Sequence, residues 1–90
     1  GVVFRVLIEN QGERWLNPDV WLELYDSQGR RVGHFSAGKP RILPGTARMR
    51  EFDLSDVQPG EYLALVLVDD GSDAVFGARY SLRFIDSDDS

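Results

Sequence analysis

The alternation of apolar and polar residues along the chain predicts a succession of β-strands. The clearest apolar run, Tyr62 to Val68, is seven residues long and follows a turn at Pro59-Gly60. It is short for a helix, and both faces of a strand built from it would be hydrophobic. We therefore predict that this segment is the central strand of the fold and that it is covered on both sides.

Further segments show the alternation typical of a strand with one face in the core. They are Val2 to Glu9, Val20 to Tyr25, Arg31 to Phe35, Thr46 to Leu54 and Phe76 to Phe84, with a short edge piece expected at Arg41 to Leu43. Between Met49 and Phe52 the apolar parity changes, which predicts a bulge near Arg50. In the last segment we expect the following side chains to point inward: Phe76, Ala78, Tyr80, Leu82 and Phe84.

These strands recur about every 8–12 residues with turn signals between them, the spacing typical of a β-sandwich. No long segment shows the 3.6-residue period, so little helix is expected. The predicted fold is all-β, a sandwich of six to seven antiparallel strands. We expect a single domain over residues 1–85 and a disordered acidic tail over residues 86–90.

Composition narrows the possible functions. The 90 residues are 42% hydrophobic and contain no cysteine, so we expect a packed core without disulfides or thiolate metal sites. The net charge is −5, which argues against nucleic acid or anionic lipid as a partner because both need a cationic surface. No apolar run approaches 18 residues, so no membrane insertion is expected.

The order of turn signals resembles that of bacterial immunoglobulin-like modules of the cell envelope. The matching pieces are Glu9-Asn10-Gln11-Gly12, Tyr25-Asp26-Ser27-Gln28-Gly29, Leu43-Pro44-Gly45 and Pro59-Gly60-Glu61-Tyr62. Together they cover nearly the whole chain, and they look like the adhesion-type modules called CARDB, a fibronectin type III-like class, and like fimbrial or pilus periplasmic chaperone-like domains. The resemblance implies an immunoglobulin-like sandwich with a binding or scaffolding role in the periplasm or at the bacterial surface.

The resemblance also implies a structural role for Pro59, Gly60 and Tyr62. Such sandwiches place a tyrosine at this position, and its hydroxyl bonds back to the preceding connection in a tyrosine corner. A seven-strand sandwich has one further strand ahead of the strand that carries Asn-x-Gly, whereas only Gly1 precedes Val2 here. Either the family lacks that strand or it lies upstream, and an unfilled edge could accept a strand from a partner.

No constellation of residues indicates catalysis or a cofactor. His34 is the only histidine, and no Gly-x-Ser-x-Gly motif is present, so an enzyme is not expected. Asp69, Asp70 and Asp73 surround Gly71, and an Asp-rich turn of this kind could hold calcium. Their spacing differs from that of an EF-hand loop, which favours a solvated turn and no bound metal.

Three aromatic residues are the candidate contacts for a ligand or partner. Trp21 and Tyr25 share the outward face of one strand, and Trp15 stands in the loop before it. They could stack on sugar rings or anchor a protein. Alternatively, arginines on other strands could cover these rings through cation–π contacts, which would need no ligand. The candidates for this cover are Arg5, Arg79 and Arg83.

We therefore expect a non-catalytic interaction module that binds a protein partner through sheet edges or loops. A carbohydrate-binding module that uses Trp15, Trp21 and Tyr25 is the first alternative. A protease-inhibitor-like sandwich is the second, and it should project one long ordered loop, for which the best candidate is Ser36 to Gly45.

Overall fold

The computed structural model describes residues 2–72 and 75–85, and within those ranges the chain forms six antiparallel strands and no helix. The strands are β1 (Val3–Glu9), β2 (Asp19–Tyr25), β3 (Arg31–Ser36), β4 (Ala47–Asp53), β5 (Gly60–Asp69) and β6 (Val75–Phe84). The all-β prediction is therefore confirmed. The tail predicted over residues 86–90, like Asp73, lies outside the described residues.

The strands form two sheets of unequal width that pack face to face like a sandwich. One sheet has two strands in the order β1–β4, and the other has four in the order β3–β2–β5–β6. Alternate residues of β2, β4 and β5 point between the sheets and, with the residue that follows β4, form the core. They are Val20, Leu22, Leu24, Phe52, Leu54, Ala64 and Val66. Phe4, Val6 and Ile8 of β1 pack against this cluster.

β5 lies between β2 and β6, as predicted for a central strand, but only one of its faces is covered. Ala64 and Val66 point into the core and are buried. The prediction that the strand is covered on both sides is wrong: Leu63, Leu65 and Leu67 lie on the outer face and are only half-buried. The reason is that the described strands make two layers, and a two-layer fold covers one face of each sheet.

The bulge predicted near Arg50 is absent. β1 and β4 pair in one unbroken register from Val3 opposite Asp53 to Glu9 opposite Ala47. Because opposed residues share a face of the sheet, Arg50 lies on the inward face with its partner Val6. Met49 instead faces outward and is 49% exposed. Keeping the ladder intact therefore places an arginine inward and a methionine in solvent.

β6 has the predicted orientation but not the predicted burial. Leu82 and Phe84 pack against the core. Phe76 is 59% exposed, however, and Tyr80 is 39% exposed, although its ring meets Phe4 edge-on with centroids 5.1 Å apart. The two-stranded sheet is too narrow to cover the first half of β6, so this half of the strand has inward-facing side chains with little above them.

The connection between β3 and β4 is tied to the rest of the fold by Ile42. Ile42 is fully buried and exchanges two backbone hydrogen bonds with Leu16, of 2.8 and 2.9 Å. The edge piece expected at Arg41 to Leu43 is thus a single bridge between Leu16 and Ile42. This segment does not project as the long loop expected of a protease inhibitor.

Candidate interaction surfaces

The outward face of β2 carries a hydrogen-bonded group of three side chains. The carboxylate of Glu23 accepts a hydrogen bond from the indole N–H of Trp21 at 2.9 Å and another from the hydroxyl of Tyr25 at 2.6 Å. Both bonds stabilise the charged form of Glu23 and so lower its pKa below the ordinary value, and the bond from Tyr25 has the larger effect. The same bond raises the pKa of Tyr25. Both aromatic rings are thereby fixed by a charge between them.

His34, not an arginine, covers Trp21. The two rings stack with centroids 6.4 Å apart and an interplanar angle of 22°. Among the described residues, none of the three arginines expected to cover the rings of Trp15, Trp21 and Tyr25 does so. Arg5 lies on the other sheet, where its Nε is 2.6 Å from Glu51, while Arg79 and Arg83 lie on β6 and are separated from β2 by β5.

Trp15 does not join Trp21 and Tyr25 in one aromatic strip. It lies in the loop before β2, is 55% exposed, and has the guanidinium of Arg41 5.0 Å from its ring centroid. The three aromatic residues selected from the sequence therefore occupy two separate places.

The turn before β5 holds Tyr62 in a fixed position. Its hydroxyl donates a 2.8 Å hydrogen bond to the carbonyl oxygen of Gln58, back across Pro59 and Gly60. Gly60 has a φ of 153°, and a Cβ atom there would lie 3.5 Å from the hydroxyl oxygen of Tyr62. The ring of Tyr62 also lies against Phe84, with centroids 5.6 Å apart. This geometry is that of a tyrosine corner, and it fixes the turn.

The acidic turn after β5 is organised by its own backbone. Asp69 accepts a hydrogen bond from the N–H of Gly71, and Asp70 accepts one from the N–H of Ser72, each at 2.9 Å. Hydrogen bonds from the Ser72 hydroxyl and N–H lower the pKa of Asp70. Within residues 2–72 and 75–85, no group of three or more acidic or histidine side chains is arranged to hold a metal ion.

A concavity lies where β1 faces β6, beside the edge of β1 that the resemblance suggested could accept a strand from a partner. A cavity of about 910 Å³ reaches from Ile8 along the loop to Arg14 and across to Val68 and Phe76. It continues into a smaller groove of about 260 Å³ between β1 and the first half of β6. Alternation places Phe76 and Tyr80 on this side of β6, but alternation alone does not show that the space above them is open.

Comparisons with known proteins leave the family open. No protein-family model, curated protein or solved structure matches this chain. The described residues include no helix long and apolar enough to span a membrane.

Proposed function

We propose that this domain is a non-catalytic, immunoglobulin-like interaction module of a bacterial exported or cell-surface protein, and that it binds a protein partner through its sheet edges or loops. The observation that carries the proposal is the order of the strands. An immunoglobulin sandwich places its second and fifth strands, B and E, in one sheet and its strands C, F and G in the other. The orders β1–β4 and β3–β2–β5–β6 support the proposal, because they are the orders expected if β1 to β6 are strands B, C, C′, E, F and G.

The tyrosine corner supports the same assignment independently. In immunoglobulin sandwiches a tyrosine near the start of strand F bonds back to the backbone a few residues upstream. Tyr62 occupies this place in β5 and donates to Gln58. One feature departs from antibody domains: their strand C carries a buried tryptophan, whereas Trp21 of β2 faces outward. The likeness therefore concerns the sandwich in general and not antibody domains.

Among the described residues the proposed strand order leaves two positions without a strand, that of strand D beside β4 and that of strand A beside β1. Strand A of an immunoglobulin sandwich pairs with strand B, and this is the place beside β1 that faces the groove. A module of this kind presents backbone groups and apolar side chains together, and these are the groups that a protein partner uses when it binds a sheet edge.

A carbohydrate-binding role is less well supported by the outer face of β2. The polar atoms of Trp21 and Tyr25 already donate to Glu23, so neither can donate to a sugar hydroxyl without breaking that bond. His34 also occupies one face of the Trp21 ring.

The proposal is tested by photo-crosslinking in the bacterium that makes the protein. A photoreactive amino acid replaces Leu7 on β1, Pro44 in the loop before β4, or Trp21 on the sheet face, all in the full-length protein. We expect the edge or loop position to form an adduct with one dominant envelope protein, identified by mass spectrometry. The proposal fails if no position forms a protein adduct while a glycan array shows binding that Trp21→Ala abolishes, since the module then binds sugar.

A further inference from the structure

The free edge of β1 presents a regular row of backbone groups. Val2 accepts a hydrogen bond from the N–H of Leu54, and the N–H of Asn10 donates to Thr46, so the even-numbered residues bond towards the β4 side. In an unbroken antiparallel register, residues that hydrogen-bond to the neighbouring strand alternate with residues whose backbone groups point away from it. Arg5, Leu7 and Glu9 therefore direct their N–H and C=O groups away from β4. No strand of the described chain pairs with this side of β1.

An apolar groove runs beside this edge. Val6 and Ile8 of β1 form one wall, and Phe76, Ala78 and Tyr80 of β6 form the other. Phe76 and Tyr80 have the inward orientation of core residues but are 59% and 39% exposed. A strand added to β1 would lie above them, and its inward side chains, two residues apart, would bury the exposed half of β6.

The other sheet edges lack this combination. The inward face of β4 carries Arg48 and Arg50, and inward-pointing charges protect an edge from pairing. β3 has a register irregularity against β2 between Leu24 and Tyr25, which also discourages a further strand. The free edge of β6 has no facing sheet that would form a groove with it.

A second copy of the domain fits this edge poorly. In each copy β6 extends beyond β1, as the open groove above Ala78 and Tyr80 shows. Two copies joined β1 to β1 would bring their β6 strands into the same space, because paired strands lie only about 4.8 Å apart. A single extended segment meets no such obstacle.

Charge at one end of the groove defines the segment further. The wide cavity beside Ile8 is lined by Glu9, Glu13 and Asp70 and by only one cation, Arg14. The lining of this cavity is therefore net negative, which favours a lysine or arginine at the end of the bound segment that lies near Glu9.

We propose that the edge of β1 and the groove beside β6 bind a single extended strand of another protein, with apolar side chains at alternate positions and a cationic residue at the end next to Glu9. Every strand pair among the described residues is antiparallel. The added strand is assigned the same direction relative to β1, which makes its cationic residue N-terminal. This inference rests on the proposed function, because it names the partner segment and the edge that such a module uses.

Capped synthetic peptides test the proposal against the isotope-labelled protein. The probe is a lysine followed by three Val-Thr repeats. One control has the same composition with the three valines adjacent, and a second carries the lysine at the C-terminus. We expect the probe to slow amide hydrogen exchange at Arg5, Leu7 and Glu9 by about tenfold or more, and the controls to bind at least about tenfold more weakly.

Two variants of β6 show whether the groove is used. Ala78→Glu places a charged side chain in the groove, and Ser81→Glu places the same side chain on the opposite face of β6. We expect Ala78→Glu to weaken probe binding about tenfold or more and Ser81→Glu to change it less than about twofold. Urea unfolding of both variants verifies that each is folded.

Several results would overturn the proposal. They are equal binding of the probe and the adjacent-valine control, protection at β3 or β6 instead of β1, and no protection at millimolar peptide. Slow exchange at Arg5, Leu7 and Glu9 in the free protein would mean that the chain itself or a second copy already occupies the edge. If a protein crosslinks to the Pro44 position and not to the Leu7 position, the proposed function stands but the module does not bind its partner through the edge of β1.

Discussion

At the scale of single residues, Asn10 joins two loops through hydrogen bonds made inside the protein. It is 3% exposed, and its side-chain amide donates to the carbonyl oxygens of Arg14 at 2.7 Å and Ile42 at 2.9 Å. Asn10→Ala leaves these carbonyls without that donor, so we expect the free energy of unfolding to fall by about 2–3 kcal/mol. Urea denaturation measures the change.

Asn17 is the matched control for this substitution. It also donates to two carbonyl oxygens, those of Lys39 at 2.7 Å and Pro40 at 3.1 Å, but it is exposed. Water can replace its bonds, so Asn17→Ala should cost about 1 kcal/mol or less. Equal losses for the two variants would show that burial of Asn10 does not matter.

The bond between Tyr25 and Glu23 makes a second prediction at this scale. The hydrogen bond that the phenol donates to Glu23 stabilises its protonated form, which is the main reason that the pKa of Tyr25 is raised; repulsion from the Glu23 charge adds to it. We expect Glu23→Gln to lower the pKa of one tyrosine in an ultraviolet titration. Tyr25→Phe identifies that tyrosine, and a titration unchanged by Glu23→Gln would contradict the bond.

The same bond should appear in the acid dependence of stability. The pKa of Glu23 is lowered on folding, so its contribution is complete above the ordinary pKa of a glutamic acid and is lost as the pH falls through the lowered value. We expect the free energy of unfolding of Glu23→Gln to depend less on pH in that range. If the free energies of unfolding of the wild-type protein and Glu23→Gln changed with pH in the same way, this linkage would be contradicted.

At the scale of elements, the register of β4 decides which of its apolar residues supports the fold. Phe52 is 2% exposed and Met49 is 49% exposed. Phe52→Ala should therefore cost about 3–5 kcal/mol, and Met49→Ala less than about 0.5 kcal/mol. If Phe52→Ala does not fold, Phe52→Leu retains the comparison. A bulge at Arg50 would instead make the methionine substitution costly.

The two faces of β5 differ in the same way. Val66 is buried, while its neighbour Leu65 lies half-buried on the outer face. Val66→Thr buries a hydroxyl and should lower the free energy of unfolding by about 1–3 kcal/mol, and Leu65→Thr should lower it by less. Thermal unfolding of both variants makes the comparison, and equal effects would mean that the outer face is covered too.

At the scale of the whole molecule, the sequence predicted the strands and the direction of their side chains better than it predicted which side chains are buried. Alternation gives the direction of each side chain, which is why β2 and the orientation of β6 were predicted correctly. It does not give the width of the opposite sheet. Phe76 and Leu65 both look like core residues in the sequence. Phe76 is exposed because two strands cannot cover four, whereas Leu65 is half-buried because the described strands form no third layer over the outer face of β5.

Arg50 shows a second limit of prediction at this scale. The change of apolar parity between Met49 and Phe52 predicted a bulge there, but the seven-residue ladder with β1 is unbroken, and the arginine turns inward. The resemblance suggested an unfilled edge ahead of the first strand, but it did not predict the groove between β1 and β6, because the space above β6 depends on the width of the opposite sheet.

Because the two sheets differ in width, we expect one part of the molecule to be more stable against local unfolding than another. β2 lies between two strands with its inward side chains fully buried, whereas β6 is held by β5 alone along a half that few side chains cover. Local unfolding costs least where burial is least, so β6 should detach at a free energy far below that of global unfolding. Limited trypsin digestion would then nick the native protein after Arg79 well before Arg50, and a ligand seated along β1 would delay that cut.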